Sequence, residues 1–261
     1  MKLGLSSAVW YGVRETEAAA DYLRTFPLDT CEIFLQTWSE YTEAFGEEVH
    51  RRLGPLPCTS VHPKGVNFES DLFSRSDRQT EDAMRMLDRV CLAAERIGAR
   101  YYVMHGPSTV NTRRKPETIY RLTERMAQAR QIAQSHGVEI LWENVSWCAV
   151  STPEDVRRMT ELIPEQNFVL DVKQARRAGQ SELTMAEAMG SHLKHLHVLD
   201  MREDGTMCLP GEGCVDFRAL LDKARTSGFD GAVILEPYEA QGRDEAAMRR
   251  SLDFLRGLIA I

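Results

Sequence analysis

The chain contains no pair of cysteines spaced as CxxC, no apolar run long enough to span a membrane, and no excess of basic residues. Each absence removes a class of protein. The six cysteines (31, 58, 91, 148, 208 and 214) are scattered and sit mostly in apolar segments. They read as reduced thiols, not as a disulfide framework or a thiolate metal site. Cys208 and Cys214 flank a glycine-containing loop and are read the same way. A membrane span needs roughly 20 apolar residues. The N-terminus, "MKLGLSSAVWYGVRE", lacks the apolar core and small-residue cleavage site of an export signal. These two features predict no membrane association and a cytoplasmic location.

Charge and glycine are informative in the same way. Lys and Arg total 32 against 39 Asp and Glu, a net charge of -7, with a pI near 5.6. Proteins that grip phosphate backbones are usually basic, so nucleic acid is a disfavoured partner. The first strand candidate is followed by "WYGVRE", which has one glycine. A doubly wound nucleotide-binding sheet would normally carry a glycine-rich phosphate loop there. No linker, low-complexity tract or literal repeat divides the chain.

What is present is alternation. Short apolar segments predict strands at 2–9, 30–36, 57–63, 100–106, 138–144, 167–171, 194–200 and 232–237. Each is bounded by Gly, Pro or polar residues, as strands covered on both faces should be. Helical periodicity predicts helices over 14–26, 77–98, 116–137, 152–163, 216–228 and 244–259. "TPED" at 152–155 is a helix-start signature. The alternation recurs about every 33 residues, the size of a βα unit. Eight such units predict an α/β fold: one (β/α)8 TIM barrel over residues 1–261.

The ionisable residues cluster at one end of these strands. Strands three to six end at His62, His105, Glu143 and Asp171; the seventh carries His197 and the eighth ends at Glu236. Strand C-termini converge on one rim of a barrel, where active sites are built. Any one of these residues alone reads as an ordinary hydrogen-bonded rim residue. Six together do not. Glu143 and Glu236 emerge from apolar strands, and buried carboxylates need a compensating charge. A divalent cation supplies it. Ligands of Glu, Asp and His without thiolate suit Mn, Mg, Co or Zn. "KHLHVLD" (194–200) places His195 and His197 on one side of the seventh strand. His197 is the better ligand; His195 lies deeper and is read as packing in the barrel interior.

These residues resemble the xylose isomerase-like barrel superfamily of sugar phosphate isomerases and epimerases, inosose dehydratases and endonuclease IV-type nucleases. The pieces that carry the resemblance are "WEN" (142–144), "LD" (170–171), "HLHVLD" (195–200), "LPGEGCVDF" (209–217) and "ILEPY" (234–238). The resemblance implies a metal tetrad of Glu143, Asp171, His197 and Glu236. Glu143 and Glu236 would also move the proton next to the carbonyl of a keto sugar or polyol. His62 and His105 would hold a second metal or touch substrate hydroxyls. Gln174, Lys173, Trp142 and Glu212 are the expected substrate contacts, with Trp10, Phe68 and Tyr238 as further aromatic wall. Relatives of this kind are often dimers or tetramers, so the resemblance admits a homo-oligomer, while the sequence, with no exposed apolar stripe, leaves the oligomeric state open.

Departures bear on the reading. Where many members have Asp-x-x-His, this chain has "DVKQ", with Gln174 at the histidine position. Gly205 and Met207 stand where the nuclease branch carries an Asp and a His for a third zinc. The loop arginine of some ketose epimerases is absent. Lys173 is new to the pattern, as a solvated rim charge or a partner for an anionic substrate group. The expected function is a metal-dependent sugar isomerase or epimerase, with a related lyase beside it. The alternatives are a two-metal phosphodiesterase and a barrel that binds a sugar without turnover.

Overall fold

The computed structural model describes residues 1–65, 68–108, 115–242 and 244–260. Eight parallel strands close on themselves: β1 (Lys2–Ser6), β2 (Thr30–Leu35), β3 (Cys58–Pro63), β4 (Tyr101–Met104), β5 (Glu139–Glu143), β6 (Asn167–Asp171), β7 (Leu193–Val198) and, after a two-stranded antiparallel ribbon of β8 (Asp200–Met201) and β9 (Met207–Cys208), β10 (Ala232–Leu235). The order around the barrel is β1-β10-β7-β6-β5-β4-β3-β2. All eight strand candidates are therefore barrel staves; β6 matches its predicted span, and the others are shorter than or shifted from theirs by one to three residues.

Helices cover the outside: α1 (Thr16–Leu23), α2 (Glu43–Leu53), α3 (Asp77–Ile97), α4 (Leu122–Ser135), α5 (Pro153–Leu162), α6 (Val172–Arg177), α7 (Glu182–Met189), α8 (Phe217–Thr226), α9 (Glu239–Gly242) and α10 (Glu245–Ile259). Among the described residues none is long and apolar enough to cross a membrane. The α2, α6, α7 and α9 helices have no counterpart in the sequence reading. Gly46 interrupts the pattern of α2 because a Cβ there would lie 2.6 Å from the Ala93 carbonyl oxygen; the α2–α3 packing requires the glycine. The helix expected over 116–137 is also shorter. Pro116–Thr118 form a 3-10 turn, Arg121 adopts φ 50°, and α4 begins only at Leu122. The N-terminus of α5 does carry the expected reciprocal cap: Thr152 accepts from Asp155 N, and Asp155 accepts from Thr152 N.

Strand alternation separates two layers of apolar side chains. Tyr101, Val103, Leu141 and Val169 form a small cluster of their own, while Tyr102, Met104, Trp142 and Phe168, their chain neighbours, belong to the large core with the helices. The first set lies inside the barrel and the second outside it. Parallel register then levels the polar residues at the C-terminal end. Asp171 pairs with His197, and His197 with Ile234, so residues from three staves meet at one height.

Candidate active site

The C-terminal end of the barrel holds a dense buried ionisable cluster. Glu32, Glu143, Asp171, His195 and His197 are at most 1% exposed, and His62, Lys173 and Glu236 at most 7%. Register and alternation bring each one inward. Asp171 closes β6 and caps α6, accepting from Gln174 N at 2.8 Å through Oδ1. Asn144 locks β5 to β6: its amide donates to the Asp171 carbonyl at 3.0 Å, and its oxygen accepts from Asp171 N at 2.8 Å.

His197 sits at the centre. Its Nδ1 lies 3.0 Å from Glu143 Oε1 and 3.3 Å from Glu236 Oε2; its Nε2 lies 3.0 Å from Glu32 Oε2. His62 Nδ1 is 3.3 Å from Glu236 Oε1, and its Nε2 is 2.8 Å from His105 Nε2. His105 Nε2 in turn is 2.9 Å from Glu143 Oε2. Glu69 steadies the end of β4 by accepting from His105 N at 2.9 Å, Gly106 N at 3.0 Å and the Tyr102 hydroxyl at 2.9 Å.

Lys173 differs from the solvated rim charge that the sequence allowed. It is buried, and its ammonium donates to both Asp171 Oδ2 and Glu236 Oε2. It belongs to the floor of the site because α6 starts immediately after β6 and turns residue 173 back over the barrel mouth.

These contacts set the protonation pattern. Burial pushes the Glu143 carboxyl up, but His105 and His197 outweigh it and hold the group well below the usual range. Burial is likewise outweighed at Glu236 by Lys173 and His197, and at Glu32 by His197, His195 and His62. Asp171 goes the other way. Burial raises it, Lys173 opposes, and Glu143 and Glu236 add to the rise, giving about 7. Burial would lower His197, yet the charges of Glu32 and Glu236 raise it well above an ordinary imidazole. Four carboxylates and one ammonium leave a formal excess of three negative charges before any imidazole protonates.

The donor set fits a divalent cation. Glu143, Asp171, His197 and Glu236 each offer one ligand atom, and these atoms all lie within 4.8 Å of one another. His62, His105 and Glu143 make a second such group, and Glu32, His62, His197 and Glu236 a third. Among the described residues, Glu32 Oε1 and His105 Nδ1 are buried without a hydrogen-bond partner. A net buried negative charge and unsatisfied ligand atoms suit a divalent cation.

The sequence model for the xylose isomerase-like TIM barrel matches residues 17–258. The chain belongs to that family. An uncharacterized protein of Mycobacterium tuberculosis (strain ATCC 25618 / H37Rv) is 26% identical, covering 98% of this chain and 97% of its own. An inosose dehydratase of Geobacillus kaustophilus is 24% identical over 54% of this chain and 56% of its own. Among solved structures, a D-psicose 3-epimerase crystallised with D-fructose superposes with TM-score 0.82 at 14% identity, covering 99% of both chains. The IolI protein with a bound zinc atom gives 0.75 at 16% identity, covering 99% of this chain and 96% of that one. At such identities the superpositions establish the fold.

In this xylose isomerase-like barrel a cavity of about 180 Å³ opens above the cluster. His62, His105, Glu143, Asp171, Lys173, Gln174 and Glu236 reach it from the floor; Ala8, Tyr11, Phe34, Pro237 and Tyr238 form the walls. Gln174 Oε1 accepts from Ser146 N at 3.2 Å and Ser146 Oγ at 2.9 Å. A larger cavity of about 420 Å³, lined by Arg100, Arg130, Glu139 and Glu165 among others, lies at the opposite end of the strands, away from the cluster.

Several residues expected at the site are elsewhere. Trp142 alternates with Glu143, so its fully buried ring faces the helices and packs 6.0 Å from Phe73. Trp10 packs against Tyr22 and Phe26, and Phe68 against Tyr41. Glu212 lies in the loop before α8 and reaches Arg202 at 3.3 Å; it does not line the cavity. Asp200 organises that loop instead, accepting from Gly211 N, Gly213 N and Val215 N at 3.0–3.1 Å. His195 occupies the interior, as expected, with Nε2 3.3 Å from Ser60 Oγ and from Glu32 Oε2. The sequence reading missed Glu32, Tyr11 and Phe34. An isolated glutamate inside the apolar segment "TCEIFLQ" is the signal that could have revealed Glu32.

Proposed function

We propose that this chain is a divalent-metal-dependent isomerase or epimerase of a small keto sugar or polyol. The observation that carries the reading is the convergence of Glu143, Asp171, His197 and Glu236 on one buried point beneath a cavity of sugar-like size. Those four residues would hold the cation. When bound, it acts as a Lewis acid that polarises the substrate carbonyl and acidifies the neighbouring C–H.

The protein's own groups do the rest. Glu143 and Glu236 are both held ionised, so each is ready to accept a proton at neutral pH. One carboxylate takes the proton from the carbon beside the carbonyl. Return to the opposite face by the other inverts that carbon; return to the adjacent carbon isomerises the sugar. Lys173 fixes Glu236, and His105 fixes Glu143, on either side of the floor. Gln174, its oxygen engaged by Ser146, donates its amide N–H groups to no group among the described residues and could meet a substrate hydroxyl with them. Tyr11, Phe34 and Tyr238 narrow the mouth and limit water. Loss of a hydroxyl after the same proton abstraction would make the reaction a dehydration.

The convergence of His62, His105 and Glu143 supports a second cation and, with it, two-metal phosphodiester hydrolysis as an alternative. Gly205 and Met207 offer no ligand for a third, and the net charge of -7 disfavours a DNA substrate.

The test is deuterium incorporation from solvent into a panel of keto sugars by metal-loaded protein, followed by NMR. Exchange that disappears in Glu143→Gln and Glu236→Gln supports the reading. Release of product from a phosphodiester, without exchange into any sugar, would replace it.

A further inference from the structure

Tyr11 and Tyr238 both wall the cavity and are unusual for large apolar side chains here in being about 40% exposed. Each carries a cation. Lys64 Nζ donates to the Tyr11 hydroxyl at 2.5 Å and lies 5.0 Å from the ring centroid. Arg177 Nη1 donates to the Tyr238 hydroxyl at 2.6 Å, with its guanidinium carbon 5.2 Å from that ring. Among the described residues neither cation has a carboxylate within ion-pair distance, although acids outnumber bases 39 to 32 in the chain. Arg176, the neighbour of Arg177, is by contrast paired with Glu182 at 2.9 Å. An ammonium has three donors and a guanidinium five. One contact to a neutral phenol leaves most of them, and the whole charge, available.

Two other candidate anion sites near the mouth are already taken. Lys173 is engaged by Asp171 and Glu236. The backbone N–H groups of the loop before α8 are filled by the Asp200 carboxylate. Among the described residues, Lys64 and Arg177 thus offer a ligand's anion an uncompensated positive charge at the mouth.

We propose that the substrate carries a phosphate or carboxylate at the end remote from the reacting carbon, and that Lys64 and Arg177 bind it across the two tyrosines. This rests on the keto-sugar reading of the same site and adds the substrate's charge to it. The tyrosines hold the two cations in place before the ligand arrives, which lowers the ordering cost of binding.

Two measurements separate this inference from the reading beneath it. The first is exchange kinetics of metal-loaded wild type and Lys64→Met/Arg177→Met on D-fructose, D-fructose 6-phosphate and a hexulosonate. Wild type should prefer an anionic probe in kcat/KM by about tenfold or more, the preference falling with salt and collapsing in the double variant. A larger preference for the phosphate than for the hexulosonate assigns the site to a dianion; the reverse assigns it to a carboxylate. The second is calorimetric binding of glucitol and glucitol 6-phosphate, which lack the carbonyl. Selective binding of the phosphate that the double variant loses, without exchange in any sugar, keeps the anion site and removes the isomerase reading. D-Fructose exchanged as fast as both anionic probes, or an anion preference unchanged in the double variant, overturns the proposal. So does the absence of both exchange and selective binding.

Discussion

The Glu32 carboxylate lies 3.0 Å from His197 Nε2, while Nδ1 of the same ring faces Glu143 and Glu236 at 3.0 and 3.3 Å. The carboxylate accepts the Nε2–H and so directs the other nitrogen toward the tetrad. Metal-binding imidazoles are commonly oriented by such a partner, whose loss lowers affinity about 10- to 100-fold. Glu32→Gln is expected to weaken divalent-ion affinity by that factor in a chelator-competition titration. Unchanged affinity would mean that the ring is held by its other contacts.

Lys173 places an ammonium against two of the four proposed ligands. A cation entering the tetrad meets that like charge. Lys173→Met should therefore bind a divalent ion more tightly, by about tenfold or more. The same variant leaves Asp171 and Glu236 buried without their partner, a loss of about 3–5 kcal/mol when metal-free. Thermal unfolding with and without chelator checks both effects: a lower metal-free Tm and a larger rise on loading. A Tm and affinity equal to wild type would show the ammonium to be uninvolved.

Protons and a divalent ion compete for these groups. Burial opposes a charge on His62, but Glu236 and Glu32 win and raise it to about 10. The metal-free protein thus holds that proton at neutral pH, and a cation beside His62 expels it. Affinity should climb as pH rises from 6 toward 10, with proton release seen as a buffer-dependent enthalpy at pH 7. Stability of the metal-free state follows the opposite course. A raised imidazole stabilises the fold fully below its ordinary value of 6.5 and ceases to do so as pH passes about 10. Binding without proton release would contradict this assignment.

Gly106 follows His105 with φ 75°, and a Cβ there would lie 2.2 Å from the Trp142 ring. Gly106→Ala meets both backbone strain and a ring that is fully buried. A loss of about 2 kcal/mol or more is expected in urea unfolding. An effect under about 0.5 kcal/mol would mean that Trp142 repacks freely.

The barrel was legible because its staves are short apolar segments between strong breaks, and the convergence of Glu143, Asp171, His197 and Glu236 because they stand at or near stave ends. Alternation also carried information that went unused: Trp142 and Glu143 are adjacent on β5, so they cannot both face the cavity. Glu32 was hidden by position. It lies three residues before the end of β2, among Cys31 and Ile33, and its role appears only when β7 arrives from 165 residues away. The roles of Lys173 and Glu212 depend on how loops turn after the strands. Those turns are set by distant partners such as Asp200, which sequence spacing does not reveal.

The central claim is that Glu143, Asp171, His197 and Glu236 hold a divalent cation, and elemental analysis tests it most directly. Protein purified without chelator or a nickel column is measured beside Glu143→Ala and His197→Ala. The account predicts about one equivalent of Mn, Co, Zn or Mg in wild type, or two if His62 and His105 bind as well, and loss of the tetrad ion in both variants. Metal-free wild type that takes up no divalent ion on reconstitution would contradict it.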